Sequence, residues 1–300
     1  MMKRKIPPMA LVIFAVCMVS YSGPMVKGAL NAGATPASVA FLRMLTAGLL
    51  IAPLDFTNAK RKGIPFRFSK RELLLTALAA VFLALHYLTW ITSLTGTSTF
   101  ASVALVCTQP LFVSLFSFLL FKEKTPREAL PGAGLALIGA LTIALAGMAG
   151  SAGGASASEE LSSNLLALAG AVLMAGHWLT NREIRRTVSA DLYTPVLYFA
   201  TAAILALSLP SSGGFVMPLA ALPWMAGLVI GSTLLGHAVF TYALEGVSAN
   251  VVSFALLGEP VGAMIFSMIF FGEIPAPLVA LGGLLTLAGL ALYLARSGKE

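Results

Sequence analysis

Long apolar segments separated by short polar connectors make up almost the whole chain. A bilayer core about 30 Å thick needs roughly 20 apolar residues per helix, and a scan with that length predicts ten spans. The spans lie near residues 7–30, 36–54, 72–94, 98–121, 128–149, 162–181, 191–210, 217–244, 249–271 and 275–295. Their apolar runs are continuous rather than alternating, which favours helices over strands. The pattern therefore predicts an all-α integral membrane protein with ten transmembrane helices.

Composition supports a membrane protein over a soluble one. Hydrophobic residues make up 58% of the 300 residues and charged residues only 10%, with a mean hydropathy of +0.91. A soluble domain carries about 25% charged residues. The first apolar stretch follows MMKRK and superficially resembles a signal peptide, but it continues as far as Val26 without a clear cleavage site. We interpret it as an uncleaved first helix, with a signal peptide as the alternative.

Basic residues occur at the termini and in alternate connectors, which predicts the orientation. Of the 19 Lys and Arg residues, 17 lie in these places. They are Lys3, Arg4, Lys5, Lys60, Arg61, Lys62, Arg67, Lys70, Arg71, Lys122, Lys124, Arg127, Arg182, Arg185, Arg186, Arg296 and Lys299. Because positively charged loops stay in the cytoplasm, we expect a multi-pass inner (plasma) membrane protein with both termini cytoplasmic. These clusters flank apolar spans, so no nucleic-acid partner is expected.

The two halves of the chain are related by an offset of 150 residues. Residues 150–161, rich in Gly, Ser and Ala, are predicted to be a linker between repeats at 1–149 and 162–300. The offset aligns these pairs: Pro110 with Pro260, Phe121 with Phe271, Glu123 with Glu273, Gly132 with Gly282, and Gly139 with Gly289. Five helices is an odd number, so equivalent helices should cross in opposite directions. Two inverted-topology five-helix repeats are typical of secondary transporters that work by alternating access.

Three segments resemble a known family. FLRMLTAGLLI (41–51), ASVALVCTQPLFVSLFSFLLFKE (101–123) and VSFALLGEPVGAMIFSMIFFGE (252–273) are similar to EamA-type members of the drug/metabolite transporter superfamily. The resemblance implies a ten-helix bundle that transports small metabolites, often by exporting amino acids or related compounds. It also implies a cavity lined by spans one, three, four, six, eight and nine. Many members carry Trp-Gly in the first helix, whereas this chain has Tyr21-Ser22-Gly23-Pro24.

Isolated polar residues inside apolar spans are the candidate site, because an ionisable group at mid-bilayer costs at least about 2.5–3.5 kcal/mol. Glu259 precedes Pro260, and its repeat partner Gln109 precedes Pro110. Glu259 is predicted to bind a substrate ammonium or carry a proton; a structural hydrogen bond near the proline is the alternative. Arg43 could bind a substrate carboxylate or neutralise a charge inside the bundle. Pro110 and Pro260 are predicted hinges, with static kinks as the alternative.

Histidine and aromatic side chains complete the candidate set. These are Tyr21, His86, Trp90, His177, Trp178, His237 and Tyr242. We predict that they line the solute path, with packing as the alternative. A metal site is not expected, because no HxxxH spacing relates the histidines. Lys27, near the outer end of the first span, is expected to extend to the membrane interface.

No enzyme motif competes with transport. The sequence contains no GxSxG, HExxH or GxxxxGK[ST] pattern, so neither catalysis nor ATP-driven pumping is expected, and no cofactor is implied. The expected partners are a small metabolite, the lipid bilayer and, as a candidate coupling ion, the proton. An intramembrane enzyme and a non-transporting scaffold or receptor are the alternatives. Substrate, direction, energy source and the choice between monomer and homodimer stay open.

Overall fold

The computed structural model describes residues 8–123, 126–146, 156–236 and 257–297, and all regular secondary structure in these ranges is helical. The helices are α1 Pro8–Ser20, α2 Ser22–Asn31, α3 Pro36–Arg61, α4 Lys70–Ser93, α5 Thr99–Val106, α6 Gln109–Phe121, α7 Leu130–Ala146, α8 Ala157–Ile184, α9 Ala190–Ser208, α10 Leu222–Ala226, α11 Glu259–Phe271 and α12 Pro277–Ser297. A π-helix, Gly227–Gly236, continues α10. The predicted all-α class is confirmed for the described residues.

Within the described ranges, nine segments are long and apolar enough to cross a membrane. They are Leu11–Asn31, Pro36–Arg61, Lys70–Ser93, Thr99–Phe121, Arg127–Ala146, Ala157–Ile184, Ala190–Ser208, Leu219–Gly236 and Pro277–Arg296. The remaining predicted span, 249–271, is described only from residue 257, as part of a shorter apolar helix, Glu259–Phe271. The chain is therefore a multi-pass membrane protein, and each of the nine matches a predicted span.

Side-chain caps set helix ends that hydropathy alone misplaced. Helix α8 begins at Ala157, because Ser156 and Glu159 form a capping box in which each side chain accepts from the other residue's backbone N–H. Residues 157–161, which the sequence placed in a linker, are thus the first turns of a helix. Residues 150–155 of that predicted linker lie outside the described residues.

Helices α7 and α12, the last of each repeat, pack against each other through their glycines. A Cβ built on Gly132 would lie 2.8 Å from the carbonyl oxygen of Gly289, and one on Gly289 would lie 2.8 Å from that of Gly132. Gly139 and Gly282 face each other in the same reciprocal way, at 2.6 and 2.9 Å. Numbers rise along one helix as they fall along the other, so the two helices are antiparallel. These glycines thus allow the two backbones to approach closely.

A second pair of repeat-equivalent helices, α3 and α9, is also antiparallel. At one end Lys62 forms an ion pair of 2.7 Å with Asp191, which begins the first turn of α9. At the opposite end the N–H of Val216, after α9, donates to Ser38 Oγ at 2.9 Å in the first turn of α3. Helices α4 and α8 pack together between these pairs and contribute buried residues to the core.

Candidate functional site

Two spans of the first repeat are interrupted near their middles. The first span breaks at Tyr21 between α1 and α2, and the fourth breaks at Cys107 and Thr108 between α5 and α6. Thr108 Oγ1 donates to the carbonyl of Leu105 at 2.6 Å, and the Thr108 N–H donates to the same carbonyl at 3.1 Å. Pro110, predicted as a hinge, is the second residue of α6, where a missing N–H costs little. Discontinuous helices of this kind commonly build solute sites at mid-membrane.

Arg43 is the centre of a polar node between the first, second, third and eighth spans. Its side chain is only 4% exposed. Nε donates to Thr233 Oγ1 at 3.1 Å, and Nη1 donates to Ser22 Oγ at 3.2 Å. The guanidinium lies 4.8 Å from the centre of the Tyr87 ring and 5.9 Å from that of Trp90. These contacts hold the cation in place from several sides, as a fixed positive charge requires.

Glu259 is an acidic residue that interacts electrostatically with this node. It is the first residue of α11, where the helix dipole favours an anion, and its side chain is half-buried. The charge of Arg43 acts on the Glu259 carboxyl group, and Cys107 at the break in the fourth span is a further electrostatic neighbour. The described residues contain no ion pair within 4.0 Å between Arg43 and Glu259, so these two groups, 216 positions apart in the sequence, interact only at longer range.

The repeat partner of Glu259 is also at a helix start. Gln109 is the first residue of α6, half-buried, and its Oε1 has no hydrogen-bond partner among the described residues. The same holds for Ser20 Oγ beside the first break, for Trp90 Nε1, and for Ser232 Oγ in the π-helix. Buried polar groups normally find a partner. These atoms are thus candidate contacts for a polar solute.

The eighth span contributes to the node through unusual backbone geometry. Residues Gly227–Gly236 form a π-helix, which is rare and concentrates at functional sites. Within it, Thr233 Oγ1 donates to the carbonyl of Leu228 at 3.1 Å while accepting from Arg43. His237 and Tyr242, two predicted site residues, lie outside the described residues.

The two described histidines form reciprocal contacts across α4 and α8. His86 Nδ1 donates to the carbonyl of Gly170 at 2.9 Å, and His177 Nδ1 donates to the carbonyl of Ala79 at 3.1 Å, since each carbonyl can only accept. His86 also stacks on Trp90, with ring centres 5.9 Å apart. The side chain of Trp178, by contrast, is 47% exposed. These contacts fit the packing alternative for both histidines.

Tyr21 occupies the break in the first span and contacts α11. Its ring meets Phe266 edge-on at 4.3 Å and Phe270 at 5.6 Å. It also borders an open cavity of about 320 Å³, which Gly227 and Ile230 line from the π-helix. Pro260, the second predicted hinge, is buried at the second position of α11. The first and ninth spans therefore meet at Tyr21.

A second cavity, of about 500 Å³, opens at one end of the molecule. Lys27 and Glu273 line it, together with the turn at residues 95–98. Lys27 is half-buried, and its Nζ donates to the carbonyls of Leu94 at 2.6 Å and Thr97 at 3.3 Å. Lys27 thus reaches the end of α4, where these carbonyls bind its ammonium beside the cavity. That it extends to the membrane interface stays a prediction.

Glu123 and Glu273, which are repeat equivalents, follow the same backbone motif. The residue before each has a positive φ, 60° and 64° respectively. The N–H of Glu123 donates to the carbonyl of Ser117 at 3.3 Å, and that of Glu273 to the carbonyl of Ser267 at 3.4 Å. Both motifs end a long apolar helix in a left-handed cap.

The partners of these two glutamates differ. Glu123 forms a two-pronged ion pair with Arg182, whose hydrogen bond lowers the pKa of the Glu123 carboxyl group. Glu273 instead accepts from the N–H of Thr99 at 2.5 Å and from Thr99 Oγ1 at 2.8 Å, and Lys27 attracts it electrostatically. Each glutamate thus ties its loop to another helix.

Sequence reasoning missed Ser22, Thr233 and Glu273 as site residues. Ser22 and Thr233 were missed because hydroxyls are common in membrane helices and neither has a recognisable spacing. For Glu273, the signal was present in the repeat: an acid retained at an equivalent position while every neighbouring basic residue is lost.

Comparisons with known proteins agree with this architecture. A family model described as the EamA-like transporter family matches residues 6–145 and again residues 161–295. Among solved structures, one crystal structure of a protein is 18% identical, covers 98% of this chain and 99% of that chain, and superposes with a TM-score of 0.62. At that identity the likeness concerns the fold alone. The comparison with curated proteins finds no match.

Proposed function

Because the chain belongs to the EamA-like transporter family, part of the drug/metabolite transporter superfamily, we propose that it is a secondary transporter of small metabolites. Its two family repeats would form the two halves of an alternating-access device. The observation that carries the proposal is the reciprocal, antiparallel packing of repeat-equivalent helices. Gly132 faces Gly289, the repeat equivalent of Gly139. In return, Gly139 faces Gly282, the repeat equivalent of Gly132, as a two-fold relation requires.

Inverted topology of the two repeats is part of this proposal. Antiparallel packing of α7 with α12, and of α3 with α9, supports it. Ten spans then follow, with the ninth beginning in the residues before Glu259. The absence of Lys and Arg from alternate connectors supports placing both termini in the cytoplasm. In a bacterial cell this orientation corresponds to the inner membrane.

For the substrate, we propose a zwitterion of the amino-acid type, moved outward. Arg43 and Glu259 are a basic and an acidic group within electrostatic range of each other and not directly paired, which suits a solute that carries both a carboxylate and an ammonium. The unpartnered atoms of Gln109 and Trp90 would complete its hydrogen bonds. Glu259 is also the candidate proton carrier, since a carboxyl group is the titratable group of this node.

The two tied loops are the proposed gates. Glu123 and Arg182 close one end of the bundle, while Glu273 and Thr99 close the other. Alternating access needs one of these ties to release while the other holds. Equivalent residues at opposite ends are what an inverted repeat provides.

The test is exchange of amino acids in proteoliposomes, with the twenty common amino acids as a mixed internal pool and mass spectrometry of the external medium. We expect Glu259→Gln to reduce efflux or remove its pH dependence while folded yield is retained. The matched control is Glu128→Gln, which makes the same chemical change on an exposed turn at the very start of the fifth span. Equal efflux and equal pH profiles for wild type and Glu259→Gln would exclude the assigned role, and absence of efflux by wild type across the panel would exclude amino-acid export.

A further inference from the structure

The loop between the second and third spans holds the largest group of cations without a protein partner among the described connectors. We call residues 60–71 the basic loop. All six of its Lys and Arg residues are exposed. Lys62 pairs with Asp191, and Arg71 lies beside Glu72. The side chains of the other four make neither a hydrogen bond nor an ion pair among the described residues: Lys60, Arg61, Arg67 and Lys70.

The arginines at the end of α8 are satisfied internally. Arg182 binds Glu123, and Arg186 binds Glu183 at 3.1 Å. Arg185 Nη1 donates to the carbonyl of Val188 at 2.8 Å. Charge-driven orientation during membrane insertion would be served equally by either cluster. Orientation during insertion therefore does not explain why the arginines at the end of α8 have protein partners, whereas four cations of the basic loop have none.

The backbone of the basic loop is fixed at both ends. After α3, the N–H of Ile64 donates to the carbonyl of Ala59 at 3.0 Å, and Gly63 adopts a positive φ of 66°, as a helix-ending glycine does. Before α4, Ser69 and Glu72 form a capping box. Only a few residues remain between these caps. The backbone of the loop is consequently ordered by its own caps, without a bound ligand.

An exposed aromatic ring sits among the cations. Phe66 is 67% exposed, and its ring makes edge contacts with Phe56 at 5.5 Å and Phe68 at 6.2 Å. The two flanking helices are membrane spans, so this short loop must lie at headgroup depth. An aromatic side chain surrounded by Lys and Arg at that depth combines apolar insertion with attraction to anionic lipid.

The equivalent loop of the second repeat provides an internal comparison. Residues 209–218 also expose a phenylalanine, Phe215, at 52%, but contain no basic residue. Phe215 contacts Phe41, and the next residue is bound to Ser38 through its N–H. Both loops thus expose a phenylalanine, but of these two loops only the basic loop also carries cations without a protein partner.

We propose that the basic loop is a docking surface for the phosphate headgroups of anionic phospholipids, with Phe66 as its apolar anchor. The four unpaired cations supply the contacts to phosphate, and the ring enters the acyl boundary beside them. Charge complementarity commits the surface to an anionic lipid in the bilayer. A soluble anion would make no use of an exposed ring at this depth.

The test is native mass spectrometry of the full-length protein in detergent, titrated with phosphatidylglycerol or phosphatidylcholine. We expect wild type to prefer phosphatidylglycerol. The combined variant Lys60→Gln, Arg61→Gln, Arg67→Gln and Lys70→Gln should lose that preference, with a fall of about ten-fold or more in apparent affinity, because each cation near anionic lipid contributes about 1 kcal/mol. Phe66→Ser should weaken binding of both lipids.

A charge-matched control removes four cations from other connectors: Lys122→Gln, Arg127→Gln, Arg185→Gln and Arg186→Gln. This variant should keep the preference for phosphatidylglycerol. An unchanged preference in the basic-loop variant, or an equal loss in the control, would overturn the proposal. Complete displacement of phosphatidylglycerol by inorganic phosphate at matched ionic strength would also overturn it, because the surface would then be a general anion site. If the fourfold variant fails to fold, Phe66→Ser decides: unchanged lipid binding by it overturns the proposal.

Discussion

The fourth and ninth spans end in the same backbone conformation, but the glutamates that follow them have different partners. Glu123 and Glu273 follow the same left-handed cap and make the same hydrogen bond back into their helices. Glu123 then meets an exposed arginine, whereas Glu273 caps the first turn of α5 and faces a half-buried lysine. The comparison shows that the repeat preserves local geometry, which short-range sequence determines. The partners are free to diverge because each end of the molecule has a different environment.

The glycine contact between α7 and α12 is where the two repeats should be most equivalent. We expect Gly139→Ala and Gly289→Ala each to destabilise the protein by about 1–3 kcal/mol or to prevent folding, because the new Cβ would overlap backbone atoms of the opposite helix. Thermal unfolding in detergent measures this. Gly134→Ala, on the same helix but with no atom within 4 Å of the new Cβ, should be neutral. Similar stability for all three variants would contradict the antiparallel contact.

Arg43 and Glu259 are where the repeats should be least equivalent. The repeat partner of Arg43 is Tyr193, and that of Glu259 is Gln109. We expect Arg43→Gln and Glu259→Gln to be non-additive, with a coupling of about 0.5 kcal/mol or more, because the charge of Arg43 acts on the Glu259 carboxyl group. A double-mutant cycle on thermal stability measures the coupling. Strict additivity would mean that the two charges do not interact.

Loss of the Glu273 tie should increase access to the cavity beside Thr95 more than loss of the Glu123 tie. Glu273→Gln removes a charged helix cap, which costs about 1 kcal/mol, and leaves Lys27 without its counter-charge. We therefore expect faster labelling of a reporter cysteine at Thr95, beside the cavity, in Glu273→Gln than in wild type. Glu123→Gln should leave that rate unchanged, because its tie lies at the other end. Equal acceleration by both variants would argue against separate gates.

The smallest expected effect is the pH dependence of the Glu123 tie. Arg182 lowers the pKa of this carboxyl group below its unfolded value, so the tie contributes stability above the unfolded pKa of about 4.3. That contribution is lost as the pH falls through the lower, folded pKa. The difference in unfolding temperature between wild type and Glu123→Gln should accordingly stay constant from neutral pH to about pH 5 and vanish only in stronger acid. A difference that disappears near neutral pH would be inconsistent with this ion pair.

Much of the fold could be read from the sequence, because the constraints involved are local or periodic. A bilayer imposes a minimum apolar length, so the spans were predictable to within a few residues in most cases. Helix ends were less predictable. At Ala157, for example, a capping box extends the helix into residues that composition assigned to a linker. The glycine pairs were predictable because their spacing repeats in both halves.

The candidate site was predictable only as a set of unusual residues. Arg43 and Glu259 stood out individually because charges are costly inside a bilayer. The hydroxyls of Ser22 and Thr233 that hold the guanidinium were not predictable, since these hydrogen bonds join helices that are far apart in sequence. Lys27 illustrates the same limit: hydropathy placed it at an interface, but only the tertiary structure offered two carbonyls to bind it.

By itself the sequence determined the helical class, the membrane spans, the repeat and the family, because hydropathy, charge and motif spacing are written along a single chain. The tertiary structure decided which side chains hold the Arg43 guanidinium, which glutamate ties which loop and which cations have no protein partner. Those outcomes depend on contacts between residues 59 to 190 positions apart in the sequence. Packing alone brings such segments together.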